Sequence, residues 1–157
     1  MSEINTQEQE QLDDYARHPL ETRRALPMTL LRAREAIMAR FRPMLTAHGV
    51  SEQQWRVMRI LAEEDTLDAS EVSKRACIFE SSLSRIIKTL EKQEFVARDQ
   101  DLLDARRIRL RLTEDGHRLI GKLTPESLEI YTNLEKEFGK ERVAILISML
   151  NELTELN

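Results

Sequence analysis

The fold of this chain is decided by residues 68–116, which read DASEVSKRACIFESSLSRIIKTLEKQEFVARDQDLLDARRIRLRLTEDG. Two segments here space their apolar residues as a helix does, and a later segment alternates apolar and charged residues as a strand does. A capping residue near the end begins a further helix. We therefore predict two short helices, a hairpin of two strands and the start of another helix, in that order.

The first two helices are expected over 68–76 and 80–92. Asp68 followed three residues later by Glu71 is typical of a helix start, so Asp68 is expected to cap the first helix. The second helix has an apolar stripe with i, i+3, i+4, i+7 spacing, formed by Leu83, Ile86, Ile87 and Leu90. Burial of this stripe turns the opposite face of the helix toward solvent or a partner.

That opposite face carries short hydroxyls and spaced cations. Small side chains allow close approach to the major groove of DNA, while Arg and Lys reach phosphates and guanine edges. The alternative is an ordinary solvated face, and this helix alone leaves both interpretations open. The DNA-binding candidates on the helix are Ser81, Ser82, Ser84, Arg85 and Lys88.

The hairpin favours the DNA-binding interpretation over the solvated face. Its strands are expected over 95–98 and 107–112, and the second strand alternates apolar residues with arginines. Four arginines within residues 106–111 repel one another in a monomer but suit a phosphate backbone, so Arg106 and Arg107 are further DNA-binding candidates. Two helices followed by such a hairpin form a winged helix-turn-helix. The side chains expected inward are Ile108, Leu110 and Leu112, and those expected outward are Arg107, Arg109 and Arg111.

The hairpin also carries a family resemblance. The pattern Asp104-x-Arg106-x-x-x-Leu110-x-Leu112-Thr113-x-x-Gly116 resembles the wing signature of the MarR family of bacterial transcriptional regulators, and it adds Asp104 to the DNA-binding candidates. Residues 30–36, 41–43 and 52–56 are similar to the branch that regulates homoprotocatechuate and related aromatic-acid catabolism. The resemblance covers residues 26–155. It implies a homodimeric repressor that is released from its operator by a small aromatic acid or its thioester.

Two residues depart from the MarR pattern. Family members commonly have Gly at the end of the recognition helix, where this chain has Glu94. A residue other than Gly in a left-handed cap costs roughly 1 kcal/mol or more, which leaves the turn into the wing open to a different geometry. Relatives often have Pro at the start of that helix, where this chain has Ser81, whose hydroxyl is expected to start the helix.

Composition and charge bound the class of protein. Of 157 residues 41% are hydrophobic and 4% aromatic, which favours a mostly helical globular fold. No apolar run reaches the roughly 18 residues of a membrane span, and the N-terminus lacks the apolar segment of a signal peptide, so a cytoplasmic protein is expected. The net charge is −4, yet residues 72–111 carry 10 basic and 6 acidic groups between acidic flanks. A basic element on an acidic body orients a protein toward DNA.

The residues before the winged unit predict an arm and two helices. Residues 1–25 are expected to form a flexible arm, and 26–47 a long helix that Pro43 bends or ends early. A helix is expected over 52–63, because a capping box and a hydrophobic staple precede it. The box pairs Ser51 with Gln54, and the staple pairs Val50 with Trp55.

The residues after the wing predict helices that need a second subunit. Thr113 is expected to cap a helix that Thr124-Pro125 kinks or splits, and a last helix is expected over 140–155. One small domain has little core left for these apolar helices. Their apolar faces are therefore expected to pack on the partner in a homodimer, which would bind a pseudo-palindromic DNA site. We divide the chain into a dimerisation region, 26–48 and 117–157, and a DNA-binding domain, 49–116.

An effector site is expected near Arg34, which lies on the apolar stripe of the first helix between Leu30 and Ile37. A guanidinium there either forms a structural ion pair or binds the carboxylate of a ligand. We expect the geometry of the helix to exclude Glu35 as the ion-pair partner. Trp55 is either core filler or the aromatic wall of such a pocket. The ligand-binding candidates are Arg34, Phe41, His48, Trp55 and Arg56.

Other functions find less support in the sequence. The three His are scattered and no catalytic or phosphate-binding motif is present, so we expect no enzyme, cofactor or metal. Cys77 is expected to be a small buried hydrophobe, with a thiol redox switch as the alternative. A winged helix that docks a protein is a further alternative, which the Arg-rich wing disfavours because protein-binding surfaces rely on aromatic and apolar anchors.

Overall fold

The computed structural model describes residues 25–101, 104 and 107–156. It is mainly helical with one small sheet, and the expected order of a winged helix-turn-helix is confirmed. The arm predicted over 1–25 lies, apart from Ala25, outside the described residues. The elements are α1 (Leu26–Ala47), α2 (Glu52–Leu61), β1 (Leu67–Asp68), α3 (Ala69–Ala76), α4 (Glu80–Lys92), β2 (Val96–Gln100), β3 (Ile108–Leu112), α5 (Glu114–Phe138) and α6 (Lys140–Thr154).

The chain divides into two units, with the boundary between Arg40 and Phe41. In the first unit, the described residues belong almost entirely to α1. Three large apolar side chains of this part of the helix, Leu26, Met28 and Leu31, are exposed. Leu30, Ile37 and Met38 of the same segment are half-buried.

The second unit holds the core of the winged domain. Its innermost side chains come from α2, α3, α4, α5 and β3, and they include Val57, Met58, Leu61, Val72, Leu90, Leu110 and Leu123. The end of α1 also contributes buried side chains, and Pro43 does not end that helix, which continues to Ala47. The core thus lies beneath the two helices and the wing that were expected to read DNA.

Helix α2 begins as predicted. The Ser51 hydroxyl accepts a hydrogen bond from the N–H of Gln54 at 3.2 Å, and the Gln54 side-chain oxygen accepts one from the N–H of Ser51 at 2.8 Å. Val50 and Trp55, the predicted staple, are both buried. Each of these features depends on residues within one turn of the helix start, which is why sequence spacing identifies them.

Two expectations for α3 are wrong. Asp68 occupies the N-cap position, but its carboxylate makes no capping hydrogen bond, because Asp68 belongs to β1 and lies close to arginines of the wing. Cys77 is exposed, whereas burial was expected. It is the C-cap of α3 with φ 50° and ψ 49°, so the backbone leaves the helix in a left-handed turn and the thiol no longer follows the buried stripe.

The wing is a sheet of three antiparallel strands in the order β1-β3-β2, one strand more than predicted. Strand β1 pairs Leu67 with Leu110 and Asp68 with Arg109. A strand of two residues has no alternation to detect, so the sequence pattern missed it. Leu110 and Leu112 are buried as predicted, but Ile108 is 37% exposed, because it pairs with Gln100 at the far end of the ribbon, beyond the core.

Helix α5 is continuous from Glu114 to Phe138, so the split considered at Thr124-Pro125 is wrong. The Thr124 hydroxyl donates to the carbonyl of Ile120 at 2.7 Å, and Pro125 is accommodated inside the helix. Gly139, with φ 102°, ends α5 and begins α6. In α6 no residue is buried, and its exposed large apolar side chains are Ile145, Leu146, Ile147, Met149 and Leu153.

Candidate nucleic-acid interface

Helix α4 presents the polar face predicted for DNA contact. Its apolar stripe is buried as expected, and Ser81, Ser82, Ser84, Arg85 and Lys88 are all exposed. The Ser84 hydroxyl donates to the carbonyl of Glu80 at 3.1 Å. Within the described part of the chain, neither Arg85 nor Lys88 has an ion-pair partner. Both cations are therefore available to a phosphate or a base edge.

The start of α4 differs from the expectation for Ser81. The helix begins at Glu80, and its N-cap is Phe79, which makes no side-chain capping hydrogen bond. Ser81 already lies inside the first turn, so the prediction that its hydroxyl starts the helix is wrong. The hydroxyl is thereby left on the exposed face.

At the other end of α4, the turn into the wing is the left-handed one in spite of the missing glycine. Glu94 has φ 61°, and its carbonyl accepts a hydrogen bond from the Thr113 hydroxyl. The same hydroxyl accepts a hydrogen bond from the N–H of Gly116 at 3.1 Å, which confirms Thr113 as the cap of α5. One threonine thus joins the recognition helix, the wing and the following helix.

Gly116 makes this junction possible. A Cβ at residue 116 would lie 2.2 Å from the carbonyl oxygen of Phe95, which is closer than any real contact. The same oxygen accepts the backbone N–H of Thr113 at 3.0 Å. The Thr113-x-x-Gly116 part of the wing pattern therefore has a steric reason, since only glycine admits the backbone of the wing so close to α5.

The wing cations fall into two groups. Arg107 is exposed, with a side chain 65% accessible and its guanidinium 4.0 Å from a carboxylate oxygen of Asp68. Asp104 is also exposed, and its carbonyl accepts the N–H of Arg107 at 2.9 Å, so it shapes the turn that presents Arg107. Arg106 lies outside the described residues.

Arg109 belongs to the second group, in which the guanidinium is held by the protein itself. Its Nη2 donates to the Thr66 hydroxyl at 2.6 Å, and its Nη1 lies 3.9 Å from Asp68 Oδ1 and 3.6 Å from Asp101 Oδ2. Asp68 Oδ1 is buried without a hydrogen bond, which makes the nearby cation its main compensation. Arg109, which was predicted to point outward, thus connects β1 to the tip of the wing.

Two more wing arginines are paired in the same way. Arg111 contacts Asp99 at 2.8 Å, and Arg98 makes a bidentate pair with Glu91 of the recognition helix at 3.2 and 3.1 Å. Sequence reasoning missed all of these carboxylates. The strand register contains a usable signal, because Ala97 lies opposite Arg111 and Asp99 is therefore its diagonal neighbour on the same face.

A cleft of about 340 Å³ separates the recognition helix from the wing. Its floor is apolar, with Leu83, Ile87 and Leu110, and exposed Ile108 lies at its edge. Ser84 and Arg107, two predicted DNA-binding residues, line the same cleft. The structure therefore brings residues from both elements to one concave surface.

Of the predicted ligand-binding residues, Arg34 belongs to the first unit and the other four belong to the second. In the first unit, Arg34 is exposed and its Nη1 lies 3.0 Å from Glu35 Oε1, so the expectation that geometry excludes Glu35 is wrong. Neighbouring residues on a helix point in different directions, but two long side chains at the surface bridge that gap.

In the second unit, the other four candidates make contacts within the protein. Phe41 is buried and packs edge-to-face on Tyr131 at 5.1 Å between ring centroids, and Trp55 is buried. His48 Nε2 lies 2.9 Å from Glu126 Oε1. Arg56 donates to the carbonyl of Ala76 at 2.7 Å, which satisfies the C-terminal end of α3.

A helix with a hydroxyl-and-cation face, set against an arginine-bearing wing on an apolar core, defines a winged helix-turn-helix protein of the DNA-binding type. Of the helices in the described ranges, none has the length and apolar character to cross a membrane. Nor do the described His, Cys, Asp and Glu residues form a group that would hold a metal ion.

Comparison with known proteins gives the family. A model described as the MarR family matches residues 50–108. The chain is 39% identical over 127 residues to the HTH-type transcriptional regulator FarR of Neisseria gonorrhoeae, with 81% of this chain and 87% of that protein covered. It is 36% identical over 132 residues to the homoprotocatechuate degradative operon repressor of Escherichia coli, with 84% and 89% covered.

A solved structure is similar over most of both chains. NadR in complex with 4-hydroxyphenylacetate is similar with a TM-score of 0.77 and 38% identity, and 85% of this chain and 94% of that chain are covered. The protein belongs to the MarR family of transcriptional regulators.

Proposed function

We propose that this protein is a cytoplasmic, homodimeric repressor that binds a pseudo-palindromic operator and is released by a small aromatic acid. The observation that carries the proposal is the concave surface between α4 and the wing, where Ser84 and Arg107 face the same cleft. Arg85 and Lys88 extend this surface along the helix. A recognition helix of this kind lies in the major groove, and the wing contacts the backbone beside it.

The roles of the cations differ in this proposal. Arg85 lies in the middle of α4 and is positioned to contact base edges, whereas Arg107 lies on the wing and is positioned to contact phosphates. Arg106 and Asp104 of the wing, and the serines of α4, complete the proposed interface. Asp104 acts through the turn that it forms before Arg107 rather than by contact with the anionic backbone.

A second copy of the chain is proposed to cover the apolar helices. The exposed apolar side chains of α6 and of the first unit are too many for a monomer, since soluble proteins rarely leave contiguous apolar patches of that kind uncovered. We assign dimerisation to residues 26–48 and 117–157, and DNA binding to 49–116. A two-fold axis then sets two recognition helices against two half-sites.

The effector is proposed from the relatives. One 36% identical relative is a repressor of a homoprotocatechuate degradative operon, and one 38% identical structure contains 4-hydroxyphenylacetate. We propose that Arg34 binds the carboxylate of such a compound, because a guanidinium matches a carboxylate bidentately. The exposed Arg34–Glu35 pair contributes little stability, about 0–1 kcal/mol, so a ligand carboxylate competes with it.

The second unit holds four further candidates for effector binding, which are Phe41, His48, Trp55 and Arg56. Each already has a partner or a buried position, so an effector must exchange one of those contacts. The His48–Glu126 pair is partly exposed, with the two side chains 26% and 50% accessible. A bound effector releases DNA only if it binds the conformation that does not fit DNA more tightly.

The DNA-binding proposal is tested by selection of duplexes from a random library with the purified protein. We expect a pseudo-palindrome with half-sites about 10 base pairs apart, an affinity that falls steeply with salt, and a dimer in sedimentation at micromolar concentration. Arg85→Ala should relax the preference at one base pair of each half-site. Arg107→Ala should weaken binding to all duplexes equally and make the salt slope shallower by about one unit per subunit.

The control for this experiment is Lys136→Ala, which removes one exposed cation from α5, outside the proposed DNA-binding surface. It should leave both the preferred sequence and the salt slope unchanged. A salt-independent affinity, or a monomer at micromolar concentration, contradicts the proposal. An unchanged preferred sequence for Arg85→Ala means that the recognition helix is oriented differently.

The effector proposal is tested by calorimetry with 4-hydroxyphenylacetate and related aromatic acids. Arg34→Met should keep the dimer and the DNA binding but lose effector binding and release, because the carboxylate loses its guanidinium partner. Arg32→Met is the matched control, since it removes a neighbouring cation of the same helix. Equal effector affinities for wild type and Arg34→Met would mean that Arg34 does not bind the effector and has only a structural role.

A further inference from the structure

Phe79 is a feature of the helix-turn-helix that stability does not explain. Its side chain is 85% exposed, the largest value among the exposed large hydrophobic side chains in the described ranges. It occupies the N-cap of α4, where Ser, Thr, Asp or Asn would satisfy a free N–H of the first turn and a phenyl ring does not. The position thus gains neither burial nor a cap from its phenylalanine.

The backbone on both sides of Phe79 is fixed. Ile78 is buried, its N–H donates to the carbonyl of Ser73 at 3.1 Å, and its carbonyl accepts the Ser73 hydroxyl. The carbonyl of Phe79 accepts the N–H of Leu83 at 2.9 Å, the first bond of α4. The ring therefore projects from an ordered backbone at a defined place beside the recognition helix.

The residues that follow Phe79 along the chain are polar. Glu80, Ser81 and Ser82, the next three residues, are exposed, so the exposed face of the first turn of α4 adds no apolar side chain to Phe79. Protein interfaces bury a cluster of apolar and aromatic side chains at their centre, which this end of α4 lacks. The small serines beside it leave room for a close approach of DNA.

We propose that Phe79 contacts the C5-methyl group of a thymine in the major groove and thereby contributes to operator selection; this inference rests on the proposed DNA binding. N-terminal residues of a recognition helix reach base edges. The thymine methyl is the apolar group that the major groove displays, and Phe is among the side chains that contact it. A phenyl ring cannot form an ion pair with a phosphate, so Phe79 would contribute to sequence preference.

The test replaces thymine by deoxyuridine, which lacks only that methyl group, one position at a time in one half-site of the duplex selected by the wild-type protein. For the wild type, one such replacement should weaken binding about fourfold, because the complex no longer buries one methyl group. Phe79→Ala should bind the thymine duplex more weakly and show no further loss at that position. Phe79→Leu should restore the sensitivity in part, because it keeps an apolar contact.

The controls separate this inference from the proposed function. Phe79→Ala should remain a folded dimer, because the ring is exposed. If the wild type selects no duplex, DNA binding itself is refuted and the inference with it. If the wild type selects a duplex but Phe79→Ala keeps every deoxyuridine effect, only the Phe79 contact is refuted. Loss of the dimer with the deoxyuridine effects intact would identify Phe79 as a protein contact and likewise overturn the inference.

Discussion

Gly116→Ala should destabilise the protein, although alanine is the better helix former. Residue 116 lies in the first turn of α5, where a Cβ would be 2.2 Å from the Phe95 carbonyl oxygen and 3.1 Å from the Leu112 side chain. The nearer atom belongs to the backbone, so it cannot rotate away as a side chain would. Relief of the clash requires the wing and α5 to separate.

The magnitude follows from three terms. An added methyl group in a packed site costs about 1–3 kcal/mol. Displacement of the Phe95 carbonyl weakens its hydrogen bond with the N–H of Thr113, which is worth about 0.5–1.5 kcal/mol. Alanine in a helix returns about 0.5–1 kcal/mol relative to glycine. The net loss in the free energy of unfolding is about 2 kcal/mol.

The measurement is urea denaturation at one fixed subunit concentration, because the stability of a dimer depends on concentration. With a slope of about 2 kcal/mol per molar urea, the midpoint should fall by about 1 M. Gly121→Ala is the matched control in the same helix, since nothing lies within 4 Å of a Cβ there. It should raise the stability by about 1 kcal/mol, through helix propensity alone.

Opposite signs for these two substitutions are the expected result. If Gly116→Ala is as stable as Gly121→Ala, then the close approach of the Phe95 carbonyl to α5 does not exist in solution. The steric account of the Thr113-x-x-Gly116 pattern would then fail. The wild type provides the reference for both.

Two further substitutions test the ends of helices. Glu94→Gly should stabilise the protein by about 1 kcal/mol, because Glu94 has φ 61° and glycine adopts that conformation without the penalty of a Cβ; an unchanged urea midpoint would contradict this. Ser51→Ala should lower the free energy of unfolding by about 1 kcal/mol through loss of the capping box of α2, and a change of slope instead of midpoint would point to a different cause.

Local patterns predicted the helices well. The stripe of α4 and the capping box of Ser51 and Gln54 each depend on residues within a few turns, and both are confirmed. The order of helices and wing followed from these local patterns, and the family resemblance agreed with it. The exposed serines and cations of α4 were predicted for the same reason, since burial of one face determines the other.

Long-range contacts were beyond such patterns. Arg109 contacts Thr66, Asp68 of a two-residue strand, and Asp101 across the hairpin. Nothing in the spacing of the sequence predicts that these residues lie together. Cys77 was misjudged because one left-handed residue ends α3 and turns its side chain outward. No sequence pattern singled out Phe79, and only its place at the N-cap of α4 shows that it is exposed.

The carboxylates that hold Arg98, Arg109 and Arg111 have a consequence for the entropy of association. A free arginine side chain carries about 2 kcal/mol of rotamer entropy, and binding loses part of it for each side chain that becomes immobilised. Here Glu91, Asp99 and Asp101 order the three side chains when the chain folds, before DNA is present. The described strands of the wing therefore present these three arginines already ordered, and among the described wing arginines Arg107 keeps the most side-chain freedom to lose on binding.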